Sequence, residues 1–123
     1  MEEVLREEGV TDFSDADMHF IAYETPHSFN CWADFPDALE RLRKKFLVCS
    51  FTILSYRLIM DSARHNQLSW DAVFSCEGIG KYKMLAEPYE RVAFFLQVNP
   101  ENCLMVAAHP WDLNAAKKSG ADS

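Results

Sequence analysis

Apolar and polar residues alternate along this chain with the periods of both strands and helices. Three short runs of bulky apolar residues predict buried strands, at residues 46–49, 70–75 and 104–108. Three longer stretches repeat apolar residues at helical spacing and predict helices, at residues 37–45, 53–65 and 87–96. Strands that alternate with helices across short linkers predict an α/β fold with a parallel sheet flanked by helices.

The first part of the chain has no strand pattern. Residues 1–8 are charged and favour a helix. Ser14 with Asp17 three positions later predicts a capping box, in which each residue bonds the other's backbone at a helix start. A short amphipathic helix is expected over residues 18–23, and Pro26 ends it. This region is therefore predicted to be helical.

The last predicted strand leads through a polar loop into a helix. Asp112 stands where a helix favours an N-cap or a first-turn anion, and Gly120 stands where a helix-terminating glycine belongs. Ser50, Lys83 and Asp112 then follow three successive strands, at the edge where open α/β sheets bind ligands. Each also has a simpler interpretation, as a helix cap, a solvated loop charge and an N-cap respectively. Their shared placement favours a site.

Four stretches together resemble a known family: CWADFPDALERLRKKF, LVCSFTILS, LSWDAVFSCEGIGKYK and VAAHPWDLNAAKKSG. They lie in the order and spacing of the haloacid dehalogenase superfamily, in its 2-haloacid dehalogenase-like (type II) branch. The resemblance covers roughly residues 30–120 and implies a Rossmann-like core. It implies a partial α/β core over residues 31–123, preceded by remnant helices of the family's cap domain over residues 1–30.

The resemblance also implies roles for individual residues. A hydroxyl such as Ser50 binds a phosphate or carboxylate oxygen, a lysine such as Lys83 in Tyr82-Lys83 steadies negative charge, and an aspartate such as Asp112 orients that lysine, a metal or a water. The expected catalytic residues are Lys83, Asp112 and His109. The expected substrate-binding residues are Ser50, Thr52 and Trp111. For His109 the alternative is a loop histidine packed against Trp111.

Several residues depart from the family pattern. Ala107 and Ala108 replace serines that many dehalogenases carry, Phe51 replaces a common asparagine, and Met84 replaces a usual proline after the lysine. The superfamily's nucleophile is an aspartate in a DxxGT-like motif after the first, central strand. No such motif occurs in these residues, and none of the four glycines precedes a threonine. The chain therefore resembles the back half of the family.

A missing central strand would leave two strand edges facing an empty slot. Each buried hydrogen bond left unmade costs roughly 1–3 kcal/mol, so we expect the two strands to pair directly or another segment to fill the gap. A second copy of the chain would satisfy the edges by pairing or swapping, which predicts a homodimer.

Charge and cysteine content limit the partners further. The net charge is −7 with no basic stripe, which argues against nucleic acid and anionic membranes as partners. The four cysteines lack CxxC spacing and are expected to be reduced thiols. No signal peptide or long apolar span occurs, so we expect a cytoplasmic protein. No cofactor is expected. Magnesium is the alternative that the resemblance leaves open but does not favour, since the AAHPWD loop resembles the branch that does not need it.

Three functions remain open from the sequence. The first is an enzyme that uses Asp112, His109 or Lys83 in acid–base roles on a small acid or biosynthetic intermediate. The second is a non-catalytic binding or scaffold protein with a residual anion pocket. The third possibility is a shortened product of a longer dehalogenase gene. In the first two cases the expected ligand is a small anion or carboxylic acid.

Overall fold

The computed structural model describes residues 2–10 and 12–123 and contains a small parallel sheet among many helices. The strands are β1 (Cys49–Thr52) and β2 (Ala72–Ser75). The helices are α1 (Glu2–Glu7), α2 (Asp15–His19), α3 (Phe35–Arg43), α4 (Tyr56–His65), α5 (Cys76–Ile79), α6 (Glu87–Leu96) and α7 (Pro110–Lys118). Met1, the first residue of the helix predicted over residues 1–8, lies outside the described residues, as does Thr11. The predicted α/β class is confirmed.

The chain divides into two compact units. The first comprises the residues up to Phe46 together with Arg57–Ser69, and the second comprises Leu47–Tyr56 and Trp70–Ser123. The predicted division into a cap remnant and a core at residue 30 stays a prediction.

The first unit contains the capping box expected from the sequence. The backbone N–H of Asp17 donates to the Ser14 hydroxyl at 3.2 Å, and the Ser14 N–H donates to the Asp17 carboxylate at 3.0 Å. The Ser14 hydroxyl also donates to the Asp17 carboxylate at 2.6 Å. This bond, and then the bond from the Ser14 N–H, lower the pKa of Asp17, because they stabilise the charged carboxylate. Beyond α2 the chain continues as a π-helix over Phe20–Glu24 and a 3₁₀-helix over Thr25–Ser28, so Pro26 changes the helix type and does not end helical structure.

Polar side chains connect the 3₁₀-helix of the first unit to α4. His27 Nδ1 lies 2.8 Å from the Asp61 carboxylate, which also accepts a 2.6 Å bond from Arg57 Nε one helical turn away. The Asn66 side chain, just after α4, accepts from the backbone N–H of Cys31 and donates to the carbonyl of Phe29. These bonds fix the irregular chain before α3.

In the second unit, β1 and β2 pair in parallel with Ser50 opposite Val73. The strand predicted over residues 46–49 was placed three residues too early, so Ser50 lies inside β1 and not at its carboxyl end. Pairing begins where β2 begins, opposite Ala72. The residue before β1, Val48, instead donates its N–H to the Asp71 carboxylate at 2.8 Å.

The third predicted strand, over residues 104–108, does not form. Leu104 makes one isolated parallel bridge to Asp122, and Val106 is 82% exposed. A short apolar run becomes a strand only when a neighbouring strand supplies hydrogen bonds, and within the described residues only Asp122 does so here. The predicted three-strand alternation was therefore wrong in its last strand, and the homodimer inferred from open strand edges stays a prediction.

The glycine-containing segment 78–80 is largely helical. Ser75 caps the short helix α5 by accepting a bond from the Glu77 N–H at 3.1 Å, and Gly80 ends it in a left-handed conformation with φ of 72°. Serine at an N-cap and glycine after the last turn are the usual signals of a helix. A helix of only four residues is too short to show a helical repeat of apolar residues in its sequence.

The core of the second unit forms where α6 meets α7. Tyr89, Ala115 and Ala116 are buried together, and Phe51 of β1 packs against them. The helix predicted over residues 87–96 matches α6 in full. Gly120 follows the C-cap of α7 with φ of 90°, as predicted for a terminating glycine.

All four cysteines are free thiols, but only Cys76 is fully buried. Burial raises the pKa of the Cys49 and Cys103 thiols above the ordinary value, which keeps them neutral and unreactive near pH 7.

Gly78 is expected to be intolerant of a side chain. A Cβ at this position would lie 2.5 Å from the Tyr56 hydroxyl and 2.7 Å from its ring carbon Cε2, so Gly78→Ala must displace the ring. We expect a loss of about 1–3 kcal/mol in the free energy of unfolding, measured by urea denaturation. In a Tyr56→Ala background the same substitution should cost little. An equal cost in both backgrounds would contradict the contact.

Candidate functional site

A buried ion pair joins two of the residues singled out by the sequence. Lys83 Nζ donates to Asp112 Oδ2 at 2.8 Å, and both residues are almost completely buried, at 8% and 6% exposure. A charged pair removed from water is stable only when its geometry is good and its remaining polar atoms are satisfied. Lys83 and Asp112, 29 positions apart in sequence, therefore form one structural element of the second unit.

Tyr89 completes the hydrogen bonding of Asp112. Its hydroxyl donates to Asp112 Oδ1 at 2.5 Å, so each oxygen of the carboxylate accepts a bond. Burial and then the adjacent carboxylate raise the pKa of Tyr89, because both disfavour the phenolate. Tyr89 is thus a neutral donor throughout the physiological pH range.

Two aromatic rings lie close to the ammonium group of Lys83. Nζ lies 4.5 Å from the centre of the Phe51 ring and 6.0 Å from the centre of the Tyr89 ring. The two rings meet edge to face at 5.1 Å. The negative face of an aromatic ring attracts a cation, and such contacts are stronger when water is excluded. The lysine is therefore stabilised by one carboxylate and by ring contacts.

Local structure explains how these side chains meet. Asp112 lies in the first turn of α7, where the helix dipole favours an anion, and His109 is the N-cap of that helix. Lys83 lies in the turn between α5 and α6, and Arg91 of α6 donates to the Ile79 carbonyl at 2.6 Å. That bond connects the end of α5 to α6 and limits where the following turn can run.

The expected substrate-binding residues occupy different settings. Ser50 is buried inside β1, next to Phe51. Thr52 accepts a 3.0 Å bond from the Leu54 N–H, so its hydroxyl stabilises the turn after β1 rather than capping α4. The rings of His109 and Trp111 stack 5.7 Å apart at 11°, which is the alternative considered for His109. Their roles as site residues stay predictions.

The second unit contains a small apolar cavity of about 70 Å³, and neither Lys83 nor Asp112 is among its lining residues. Phe51 and Tyr89, which contact Lys83, also line this cavity, and Met105 and Leu104 line it from the segment predicted to be the third strand. A cavity needs only about 10–15 Å³ to accept one water, so this one has room for a very small group.

Sequence reasoning missed Tyr89 and Phe51. Tyr89 lies within the helix predicted over residues 87–96 but was not singled out, and Phe51 was noted only as a departure from the family. One signal was available for Tyr89, since a tyrosine on a buried stripe needs a partner for its hydroxyl. Tyr82, adjacent to Lys83, is 76% exposed and does not share the lysine's burial.

Residues 2–10 and 12–123 contain no group of three or more histidine, cysteine, aspartate or glutamate side chains placed to bind a metal ion. Over the same residues, no helix has both the length and the apolar character that crossing a bilayer requires.

Removal of Asp112 should destabilise the protein strongly. Asp112→Ala leaves the Lys83 ammonium buried without its carboxylate, so we expect a loss of about 3–5 kcal/mol in the free energy of unfolding. The double variant Lys83→Met/Asp112→Leu replaces both charges and should recover most of that loss in chemical denaturation. A double variant as unstable as Asp112→Ala would contradict the pairing.

Tyr89 should make stability sensitive to alkaline pH. Because its folded pKa is raised, the stability it contributes is complete below the unfolded pKa of about 10 and is lost as the pH rises further. The free energy of unfolding, measured from pH 8 to 11, should therefore fall more steeply for the native chain than for Tyr89→Phe. Parallel curves would show that the hydroxyl is not in this environment.

Comparison by sequence finds no matching family model and no matching curated protein. Comparison of structures finds strong similarity to the L-2-haloacid dehalogenase PA0810, with a TM-score of 0.86 and 26% identity over 98% of this chain. The defluorinating L-2-haloacid dehalogenase Rha0230 gives a TM-score of 0.84 and 26% identity, also over 98%. A dehalogenase solved with an intermediate complex gives 0.86 at 20% identity over 97%, which supports the fold alone.

These matches cover only part of the dehalogenase chains. This chain corresponds to 52%, 49% and 53% of the three proteins, so it spans about half of their length. The similarity agrees with the resemblance seen in the four sequence stretches. The chain has the α/β fold of the haloacid dehalogenase-like proteins and is similar to about half of an L-2-haloacid dehalogenase.

Proposed function

We propose that this chain is a haloacid dehalogenase-like domain of hydrolase ancestry that binds a small anion, such as a carboxylate or phosphate, at Lys83. The observation that carries the proposal is the buried ammonium of Lys83, bonded to Asp112 and contacted by Phe51 and Tyr89. A cation in a poorly solvated site attracts anions far more strongly than one in water.

The bonding capacity of Lys83 supports this role. An ammonium group has three N–H donors, and Asp112 Oδ2 accepts from Lys83. The ring contacts attract the charge without accepting a conventional hydrogen bond. Lys83 therefore retains donor capacity for an incoming anion.

Asp112 is a poor candidate for a nucleophile or a base. Both of its carboxylate oxygens already accept hydrogen bonds, one from Lys83 and one from Tyr89, and the residue is buried. Oxygen lone pairs engaged in these bonds are less available to attack a substrate or to accept a proton. We propose that Asp112 positions Lys83 and takes no direct part in bond formation.

We do not propose covalent catalysis by an aspartate among these 123 residues. The 123 residues contain no aspartate that follows an apolar strand and precedes Gly-Thr. Without a nucleophile, a pocket that stabilises negative charge binds anions but does not form the ester intermediate. The proposed activity of this chain is therefore ligand binding, and the similar dehalogenases indicate small carboxylic acids as the first ligands to test.

Lys83→Met should weaken anion binding. Titration calorimetry with 2-chloropropionate and with inorganic phosphate should show at least about a tenfold loss of affinity, the equivalent of one strong charge-assisted hydrogen bond. Lys81→Met is the matched control, because Lys81 lies two residues away, is half-exposed and pairs with Glu87 at 3.3 Å. Its affinity should stay within about twofold. Equal affinities for the two variants would refute a binding site at Lys83.

A further inference from the structure

The segment 103–106 has one hydrogen-bonded edge. The Asp122 N–H donates to the Cys103 carbonyl at 2.9 Å, and the Met105 N–H donates to the Asp122 carbonyl at 2.8 Å. In an extended chain the backbone groups of successive residues point to opposite edges, so the N–H and C=O of Leu104 point away from Asp122. None of the described residues bonds to either group. The second edge of this segment is therefore unpaired.

The side chains of this segment are apolar on both faces. Met105 packs against the buried core between α6 and α7. Leu104 and Val106 face the other way and are 68% and 82% exposed. Continuous apolar residues are typical of the interior strands of a parallel sheet, which are covered on both faces. The segment therefore has the sequence of an interior strand but the exposure of an edge.

Strand β1 also has an unpaired edge, and it lies beside this segment. Because β1 belongs to a two-stranded sheet, its second edge faces no strand within the described residues. Phe51 of β1 lines the same cavity as Cys103, Leu104 and Met105. No β-bridge joins β1 to the segment in the described part of the chain. Two unpaired edges therefore flank one space, between β1 and residues 103–106, which we call the strand slot.

We propose that the strand slot binds an extended polypeptide segment from outside these 123 residues, which pairs as a parallel strand with β1 and with residues 103–106. An unpaired edge recognises an extended chain through backbone hydrogen bonds, and neighbouring side chains then select its sequence. The pairings that flank the slot, β1 with β2 and Leu104 with Asp122, are both parallel. Exposed Leu104 and Val106 select an apolar segment.

The size of the similar proteins indicates the source of the segment. The solved dehalogenases match 97–98% of this chain, yet this chain corresponds to only 49–53% of theirs. About half of each of those chains therefore has no counterpart in these 123 residues, and we assign the segment to a polypeptide of that kind. A second copy of this chain offers no further strand, because its described strands, β1 and β2, already pair with each other.

The test co-expresses this chain, carrying an affinity tag, with the unmatched half of the PA0810 dehalogenase as a separate polypeptide. We expect the two to co-purify as a one-to-one complex, measured by size-exclusion chromatography with light scattering. Amide hydrogen exchange by NMR then reports on the slot itself. The Leu104 N–H should exchange at least about a hundredfold more slowly in the complex than in the isolated chain. The Met105 N–H is the control, because Asp122 already protects it in both.

Two variants separate backbone pairing from side-chain contact. Leu104→Pro removes the N–H that faces the slot without removing a described hydrogen bond, and the extended backbone of Cys103 suits a following proline. We expect it to lower the yield of co-purified partner at least about tenfold. Leu104→Ala keeps the N–H and should lower that yield clearly less. Far-UV circular dichroism establishes that each variant is folded, and the exchange measurement on the native chain carries the test if the proline variant is not.

Three results would overturn the proposal: no co-purification, a complex in which the Leu104 N–H stays unprotected, or equal losses for folded Leu104→Pro and Leu104→Ala. Self-association that protects Leu104 in the isolated chain would assign the slot to a second copy and overturn it as well. The inference does not depend on anion binding, because neither Lys83 nor Asp112 lines the cavity at the slot. A Lys83→Met variant that binds phosphate normally would refute the proposed function and leave the slot standing.

Discussion

The second unit of this protein depends on one buried ion pair, Lys83 with Asp112. Two charges removed from water stabilise a fold only when their mutual geometry is good and further contacts support them. Tyr89 satisfies the second carboxylate oxygen, and Phe51 faces the ammonium. The pair therefore connects the turn before α6, the first turn of α7 and, through Phe51, strand β1.

The Lys83–Asp112 pair illustrates how much of the site could be predicted from the sequence. Lys83 and Asp112 were expected at one sheet edge because each follows a predicted strand, and they do meet, although the strand before Asp112 does not form. Helix α6, which has strong local signals, was predicted in full. The apolar pattern of residues 104–108 could not reveal that no strand forms there, because strand formation depends on a neighbouring strand that the local sequence does not specify.

Residues that act through the buried environment were also beyond sequence reasoning. Tyr89 and Phe51 have the apolar positions of ordinary core residues, and only the structure reveals that both contact Lys83. Conversely, Thr52 and His109 have polar side chains suited to a site, yet Thr52 bonds a local turn and His109 stacks on Trp111. Residue type alone does not show whether a polar side chain belongs to a functional site or only stabilises the local structure.

The chain is similar to about half of an L-2-haloacid dehalogenase, and its polar cluster suits the stabilisation of negative charge. We propose that this half binds small anions without forming a covalent intermediate. The most direct test is turnover on 2-haloacids and small phosphate esters, with and without magnesium, alongside Asp112→Asn. We predict no turnover by either protein. Turnover by the native chain that Asp112→Asn abolishes would contradict the claim and make Asp112 a reacting group.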